Sequence, residues 1–166
     1  MTRCLLIFLL FTFYAPLLPA QVTAAAGELI ILQKQPADSA KVNRLNSYAE
    51  RIQFSNPETA IQAMEAGIAT AQKINFPLGL SVAYGLRAGL LFYEMKLDTC
   101  QLLLDKAFAL VKNKNEKKKK NQAANLINRY AAIEQRKQNF DLAVERYQQA
   151  ALIFNETGEQ LKLIFS

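Results

Sequence analysis

One helical stripe occurs three times in this chain, at intervals close to forty residues. Each copy has four small or apolar residues separated by four, three and four positions, a spacing that places them on one face of an α-helix. The three copies are Ala60, Met64, Gly67 and Ala71; Cys100, Leu104, Ala107 and Val111; and Ala143, Tyr147, Ala150 and Phe154. A repeat of this kind predicts an all-α array of helical hairpins, in which each hairpin buries its stripe against a neighbour.

Turn and capping residues divide the chain into six predicted helices. Asp38 or Ser39 provides a first cap, Asn56 a second one, and Pro57 suits the first position of the helix that follows. A short turn with Asp98 or Thr99 as its cap precedes the middle stripe. The predicted helices cover residues 39–54, 57–74, 78–95, 100–112, 122–137 and 140–155.

The first 26 residues have the three parts of a secretory signal. Met1 to Arg3 carry one positive charge, Cys4 to Tyr14 is apolar, and Ala15 to Ala26 is rich in small residues. We expect export to the periplasm or the extracellular space. The alternative is an uncleaved segment that anchors the protein in a membrane.

The predicted organisation therefore has four parts. A signal peptide covers residues 1–26, and a lead-in or first short helix covers 27–38. The repeat domain covers 39–157, and a partial further helix covers 158–166. Removal of the signal peptide leaves Cys100 as a single cysteine in the middle stripe, where a small buried thiol is expected.

The repeated units resemble the tetratricopeptide repeat (TPR) family of helical hairpins. The residues that carry this resemblance are Tyr130, Ala131, Phe140, Ala143, Tyr147 and Ala150 in the third unit, Ala88, Leu97, Cys100, Leu104 and Ala107 in the second, and Ala49, Ala60, Met64 and Gly67 in the first. The units are longer than the family's usual repeat and lack its closing proline. Longer units of this kind are similar to the extracytoplasmic TPR arrays of bacterial signalling proteins.

The resemblance implies a right-handed solenoid of antiparallel helical hairpins, with about three repeats and a partial fourth. It also implies a non-enzymatic module that binds a protein or peptide partner, as a scaffold or as the sensory part of a bacterial signalling system. In the family, the first helices of the hairpins line a peptide groove. The corresponding outward positions are Asn46, Glu50, Gln53, Phe92, Tyr93, Asn125, Asn128, Gln135 and Arg136. Phe92 and Tyr93 have an alternative role as packing residues between hairpins.

The composition argues against an enzyme. The chain has no histidine, and only one cysteine follows the predicted signal peptide, so histidine-based catalysis and thiolate metal sites are excluded. The phosphate-binding glycine motifs are absent as well. Glu134, Asp141 and Glu145 lie near one another in sequence but are interpreted as parts of solvated helix faces. We expect no catalytic residues, no cofactor and no metal.

A lysine-rich segment from Lys112 to Asn121 gives a second hypothesis. It contains six lysines and one glutamate. Lys117, Lys118, Lys119 and Lys120 could contact a polyanion or an anionic membrane surface, which makes a peripheral membrane protein the alternative function. No aromatic residue interrupts the segment, so nucleic acid is not an expected partner. The other interpretation is a solvated extension between two repeats, with its cations at a helix C-terminal end.

The end of the chain is apolar. Leu161, Leu163, Ile164 and Phe165 lie in the predicted partial helix, and an array of repeats needs a polar terminal cap to stay soluble. This pattern predicts either self-association through the C-terminal helix or a continuation of the protein beyond it.

Overall fold

The computed structural model describes residues 17–112 and 115–159, and every regular element in these two stretches is an α-helix. The seven helices of the described residues are α1 (Leu17–Gln33), α2 (Ser39–Ile52), α3 (Pro57–Lys73), α4 (Pro77–Tyr93), α5 (Leu97–Ala109), α6 (Lys117–Arg136) and α7 (Phe140–Thr157). The predicted all-α fold class is confirmed. Residues 1–16 of the predicted signal peptide and 160–166 of the predicted partial helix lie outside the described residues.

Two of the predicted helix starts are capped as expected. Asp38 accepts a hydrogen bond of 2.7 Å from the backbone N–H of Lys41, and Asn56 accepts one of 3.2 Å from that of Thr59. Pro57 occupies the first position of α3. These side chains satisfy N–H groups that have no partner within the helix, and they place the starts of α2 and α3 where the sequence predicted them.

One type of turn occurs three times between helices. Asn75, Met95 and Gln138 adopt the left-handed conformation, with φ of 52°, 59° and 64°. In each turn the next N–H donates back to a carbonyl five residues earlier. These bonds join Phe76 to Ala71, Lys96 to Leu91 and Asn139 to Glu134, at 2.8, 2.9 and 2.9 Å. The turn satisfies the last carbonyls of one helix, and the next helix begins two residues after the left-handed residue.

This turn explains the error in the predicted start of α5. The structure begins α5 at Leu97, so the cap predicted at Asp98 or Thr99 is wrong, and Asp98 lies instead in the first turn of the helix.

The lysine-rich segment differs from its interpretation as a solvated extension, because Lys117–Lys120 form the first turn of α6. These lysines therefore lie at a helix N-terminus, where the dipole disfavours cations, and not at a C-terminus.

The helices pack in successive pairs, α2 with α3, α4 with α5 and α6 with α7, and α4 also contacts both α2 and α6. The predicted stripes form the contact surfaces, because their residues are buried in clusters between these helices. Tyr147 is the exception and is only half-buried. It lies on α7, the last helix of the described residues.

The segment before the repeat domain is helical. Leu29 and Leu32 on α1 are buried in the same cluster as Leu45 and Met64. The Tyr48 hydroxyl donates to the carbonyl of Ala25 at 2.5 Å. Of the two alternatives for the lead-in, the structure has the helix, and α1 continues across the boundary predicted at residue 26. None of the helices in the described stretches has the length and apolarity needed to cross a bilayer.

Candidate functional site

A cavity of about 430 Å³ lies between α2, α4 and α6, and we call it the central cavity. Its polar lining comes from Glu50 on α2, from Gln53 directly after α2, and from Gln122, Asn125 and Arg129 on α6. Amide side chains carry both donors and acceptors, so these groups can hydrogen-bond the backbone of an extended peptide. The size and the few convergent polar groups are typical of a binding site.

Two glycines on α4 leave space that side chains of α6 occupy. A Cβ added at Gly85 would lie 3.2 Å from Leu126 Cδ2, and one added at Gly89 would lie 2.6 Å from Arg129 Nη1. Any larger residue at position 89 would displace the Arg129 guanidinium from the α4 surface. The glycines in α4, each of which costs about 1 kcal/mol of helix propensity, therefore allow α6 side chains to approach the helix backbone.

The Arg129 guanidinium makes no salt bridge and no hydrogen bond within the described part of the chain. Burial lowers the pKa of Arg129, while the neighbouring Cys100, Glu50 and Tyr93 act in the opposite direction. Arginine nevertheless stays protonated at neutral pH. The central cavity thus contains a partly buried guanidinium that the Glu50 carboxylate attracts but does not hold in a salt bridge.

Two exposed aromatic rings stand at one end of the central cavity. Phe54 and Tyr93 both line it, and their rings meet edge to face with centroids 5.1 Å apart. Phe54 is 66% exposed and Tyr93 is 49% exposed. Exposed aromatic side chains of this kind offer a large contact area to an apolar group of a partner.

The structure separates the nine predicted groove residues into three groups. Glu50, Gln53, Tyr93 and Asn125 line the central cavity. Phe92, Gln135 and Arg136 line a second space of about 360 Å³ beside Phe140, which we call the side cavity. Asn46 and Asn128 are buried.

Asn46 and Asn128 were predicted to face outward, but both side chains are buried. Asn46 Nδ2 donates to the carbonyl of Gly79 at 2.9 Å, so this side chain joins α2 to α4 within the interior. Asn128 lies one position before Arg129 on α6 and faces away from the central cavity. The helical period of 3.6 residues makes a shift of one position sufficient to move a side chain to a different face.

Within the side cavity, Phe92 is buried while Arg136 is exposed and stacks over the Phe92 ring at 5.2 Å. Gln135 accepts a hydrogen bond of 3.0 Å from the Tyr147 hydroxyl. These residues therefore join α4, α6 and α7. Phe92 is a packing residue, which was the alternative role considered for it, whereas Tyr93 is half-exposed.

Sequence reasoning missed Phe54, Gln122 and Arg129 among the residues of the central cavity. Gln122, Asn125 and Arg129 follow one another at steps of three and four, so they share one face of α6. Extending the predicted Asn125 by one helical turn would have identified Arg129 in place of Asn128.

The four lysines of the alternative site are not equivalent. Lys119 Nζ lies 2.6 Å from Glu116 Oε1, and Lys120 Nζ lies 3.8 Å from Glu156 Oε2. Lys117 and Lys118 are exposed and form no ion pair within the described stretches. Lys119 and Lys120 are thus partly neutralised by the protein itself. Contact of this segment with a polyanion stays a prediction.

Cys100 is the buried thiol that its stripe position predicted. It is a free cysteine whose Sγ lies 3.1 Å from the carbonyl oxygen of Ala88. Burial raises the pKa of the Cys100 thiol to about 11, despite the opposing effect of Arg129.

Glu134, one of the carboxylates noted in the sequence, accepts a hydrogen bond of 2.9 Å from Asn139 Nδ2 and so supports the turn before α7. In the described residues no cluster of three or more acidic or cysteine side chains could hold a metal ion.

We expect Cys100 to resist alkylation in the folded protein. A pKa of about 11 in place of 9.0 lowers the thiolate fraction at pH 8. The reaction with iodoacetamide should therefore be at least about a hundredfold slower than in urea, where the thiol is exposed. The neutral thiol favours the folded state below pH 9, and this contribution is lost as the pH rises through about 11. A Cys4→Ala background makes Cys100 the only thiol, and equal rates with and without urea would show that it is not buried.

Comparison with known proteins gives no match to a family model, to a curated protein or to a solved structure. The site is therefore defined by its own geometry, within a protein of the all-α class.

Proposed function

We propose that the helices form a solenoid of hairpins similar to the TPR family, and that the protein is a non-enzymatic module for binding other proteins. The pairs α2–α3, α4–α5 and α6–α7 are the three hairpins of this proposal. Two features support it: the helices of each pair pack against each other, and α4 contacts α2 and α6, the first helices of the neighbouring pairs.

The observation that carries the proposed function is the central cavity. The first helices of all three pairs line it, and its polar groups and exposed aromatic rings suit an extended peptide. An exported chain of this kind fits a scaffold or sensory role in a bacterial signalling system. The cavity therefore supports a binding role.

Selection from a display library of short random peptides, with the full chain as the target, tests this function. Replacing both Phe54 and Tyr93 with Ala should weaken the selected peptides about tenfold or more, because the two exposed rings offer most of the apolar contact area. The two rings are exposed, so their removal should leave the fold intact. Titration calorimetry measures the affinity and circular dichroism checks the helix content.

The matched control replaces Val144 and Leu152 with Ala. Both are exposed apolar residues, but they lie on α7 and do not line the central cavity. The control should bind the selected peptides as tightly as the unchanged protein does. A selection that returns no peptide, or peptides that the two double variants bind equally well, contradicts the proposed function.

A further inference from the structure

We propose that the central cavity binds an acidic side chain, an aspartate or a glutamate within an extended partner segment, and that Arg129 is the residue that pairs with its carboxylate. This inference rests on the proposed function, since it names the chemistry of the segment that the cavity holds. It assigns a role to a residue that the sequence patterns did not identify.

The N–H groups of Arg129 are not used by the protein itself. Arg129 lines the central cavity and makes no salt bridge or hydrogen bond within the described stretches. A partly buried guanidinium without hydrogen bonds is costly for a protein, and a carboxylate offsets that cost effectively because it can accept two parallel hydrogen bonds from a guanidinium. Glu50 lines the same cavity and attracts Arg129 electrostatically, but the two side chains form no salt bridge, so the N–H groups of the guanidinium are available to a ligand.

The guanidinium lies near the middle of the cavity-lining part of α4. It lies beside Gly89, with Gly85 and Gln122 one helical turn before it and Tyr93 one turn after it. Groups that can contact a peptide therefore extend to both sides of the charge. A segment that used them all would continue in both directions, which favours the carboxylate of a side chain over that of a chain terminus.

The surroundings of the guanidinium suit an acidic residue with an apolar neighbour. The exposed rings of Phe54 and Tyr93 provide an apolar surface at one end of the cavity, where an apolar side chain next to the acidic residue can pack. The chain as a whole carries a net charge of +6, which attracts an acidic partner at long range. The site thus fits a segment in which an acidic residue is followed or preceded by an apolar one.

The test uses a library of random peptides joined at both ends to a carrier protein, so that no peptide has a free terminal carboxylate. We expect the selected peptides to be enriched in aspartate or glutamate. Arg129→Gln should weaken their binding at least about tenfold, and so should changing the acidic residue of the peptide to its amide. When Arg129→Gln is tested with the amide peptide, the affinity should fall little further, because each change alone removes the same interaction.

Arg44→Gln is the matched control, because it removes one positive charge from an exposed position on α2 that does not line the cavity. It should leave the affinity nearly unchanged. Arg129→Lys keeps the charge but not the planar fork, so it should give an intermediate loss. It also replaces Arg129→Gln in the comparison if circular dichroism shows that Arg129→Gln is unfolded.

The possible failures are distinguishable. Peptides that need Phe54 and Tyr93 but bind equally well to Arg129→Gln would overturn this inference and leave the proposed function intact. Free synthetic peptides without acidic side chains that bind through their terminal carboxylate and Arg129 would overturn the assignment to a side chain. Absence of any binding that depends on the central cavity would overturn the proposed function, and this inference with it.

Discussion

Replacing Leu104 with Ala should lower the free energy of unfolding by about 3 kcal/mol, within the range found for buried leucines. Leu104 is completely buried on α5, in a cluster with Leu91 of α4 and Ile133 of α6. Removing the branched end of Leu104 leaves a cavity between α4, α5 and α6, and these helices cannot move far enough to fill it. In a chain of this size the midpoint of thermal unfolding should fall by about 10 °C, as measured by circular dichroism at 222 nm.

Leu102→Ala is the control for this change, because Leu102 lies on the same helix and is 54% exposed. The substitution is chemically identical and alanine is at least as good a helix former as leucine, so its effect should be about 0.5 kcal/mol or less. If Leu102→Ala and Leu104→Ala destabilise the protein equally, the contact surface assigned to α5 is wrong.

Gly79→Ala should destabilise the protein by about 2 kcal/mol, although alanine is the better helix former. A Cβ at this position would lie 2.5 Å from Cδ1 of Phe76 and 2.6 Å from Cγ1 of Val42. Val42 is fully buried and β-branched, so it has few alternative rotamers. The backbone of α4 is also held in place, because the Gly79 carbonyl accepts the buried hydrogen bond from Asn46. Urea unfolding of the two proteins measures the difference.

Gly27→Ala provides the opposite expectation. Gly27 lies within α1, and a Cβ added there would meet no atom within 4 Å. Only the gain in helix propensity remains, so in the unprocessed chain the variant should be up to about 1 kcal/mol more stable. Stabilisation by both substitutions would contradict the close approach of α2 to α4 at Gly79.

The sequence was sufficient for the features that depend on local periodicity and on short-range capping. The stripe of Leu104 and its equivalents predicted which helix faces are buried, because side chains three and four residues apart always share a face. Asp38 and Asn56 predicted two helix starts, because a capping side chain acts on a backbone N–H only a few residues away. The start of α5 was missed, because the left-handed Met95 ends α4 without the glycine that usually marks such a turn.

Tertiary structure decided the composition of the central cavity. Glu50, Gly89 and Arg129 belong to three helices, and their proximity depends on how those helices pack, which no local pattern specifies. The same dependence explains why Asn128 is buried while Arg129 lies in the cavity, since a rotation of α6 by one residue would exchange them. Helix formation and the side chains that share a face are thus determined by neighbours along the chain, whereas the charged site at Arg129 arises only when distant segments meet.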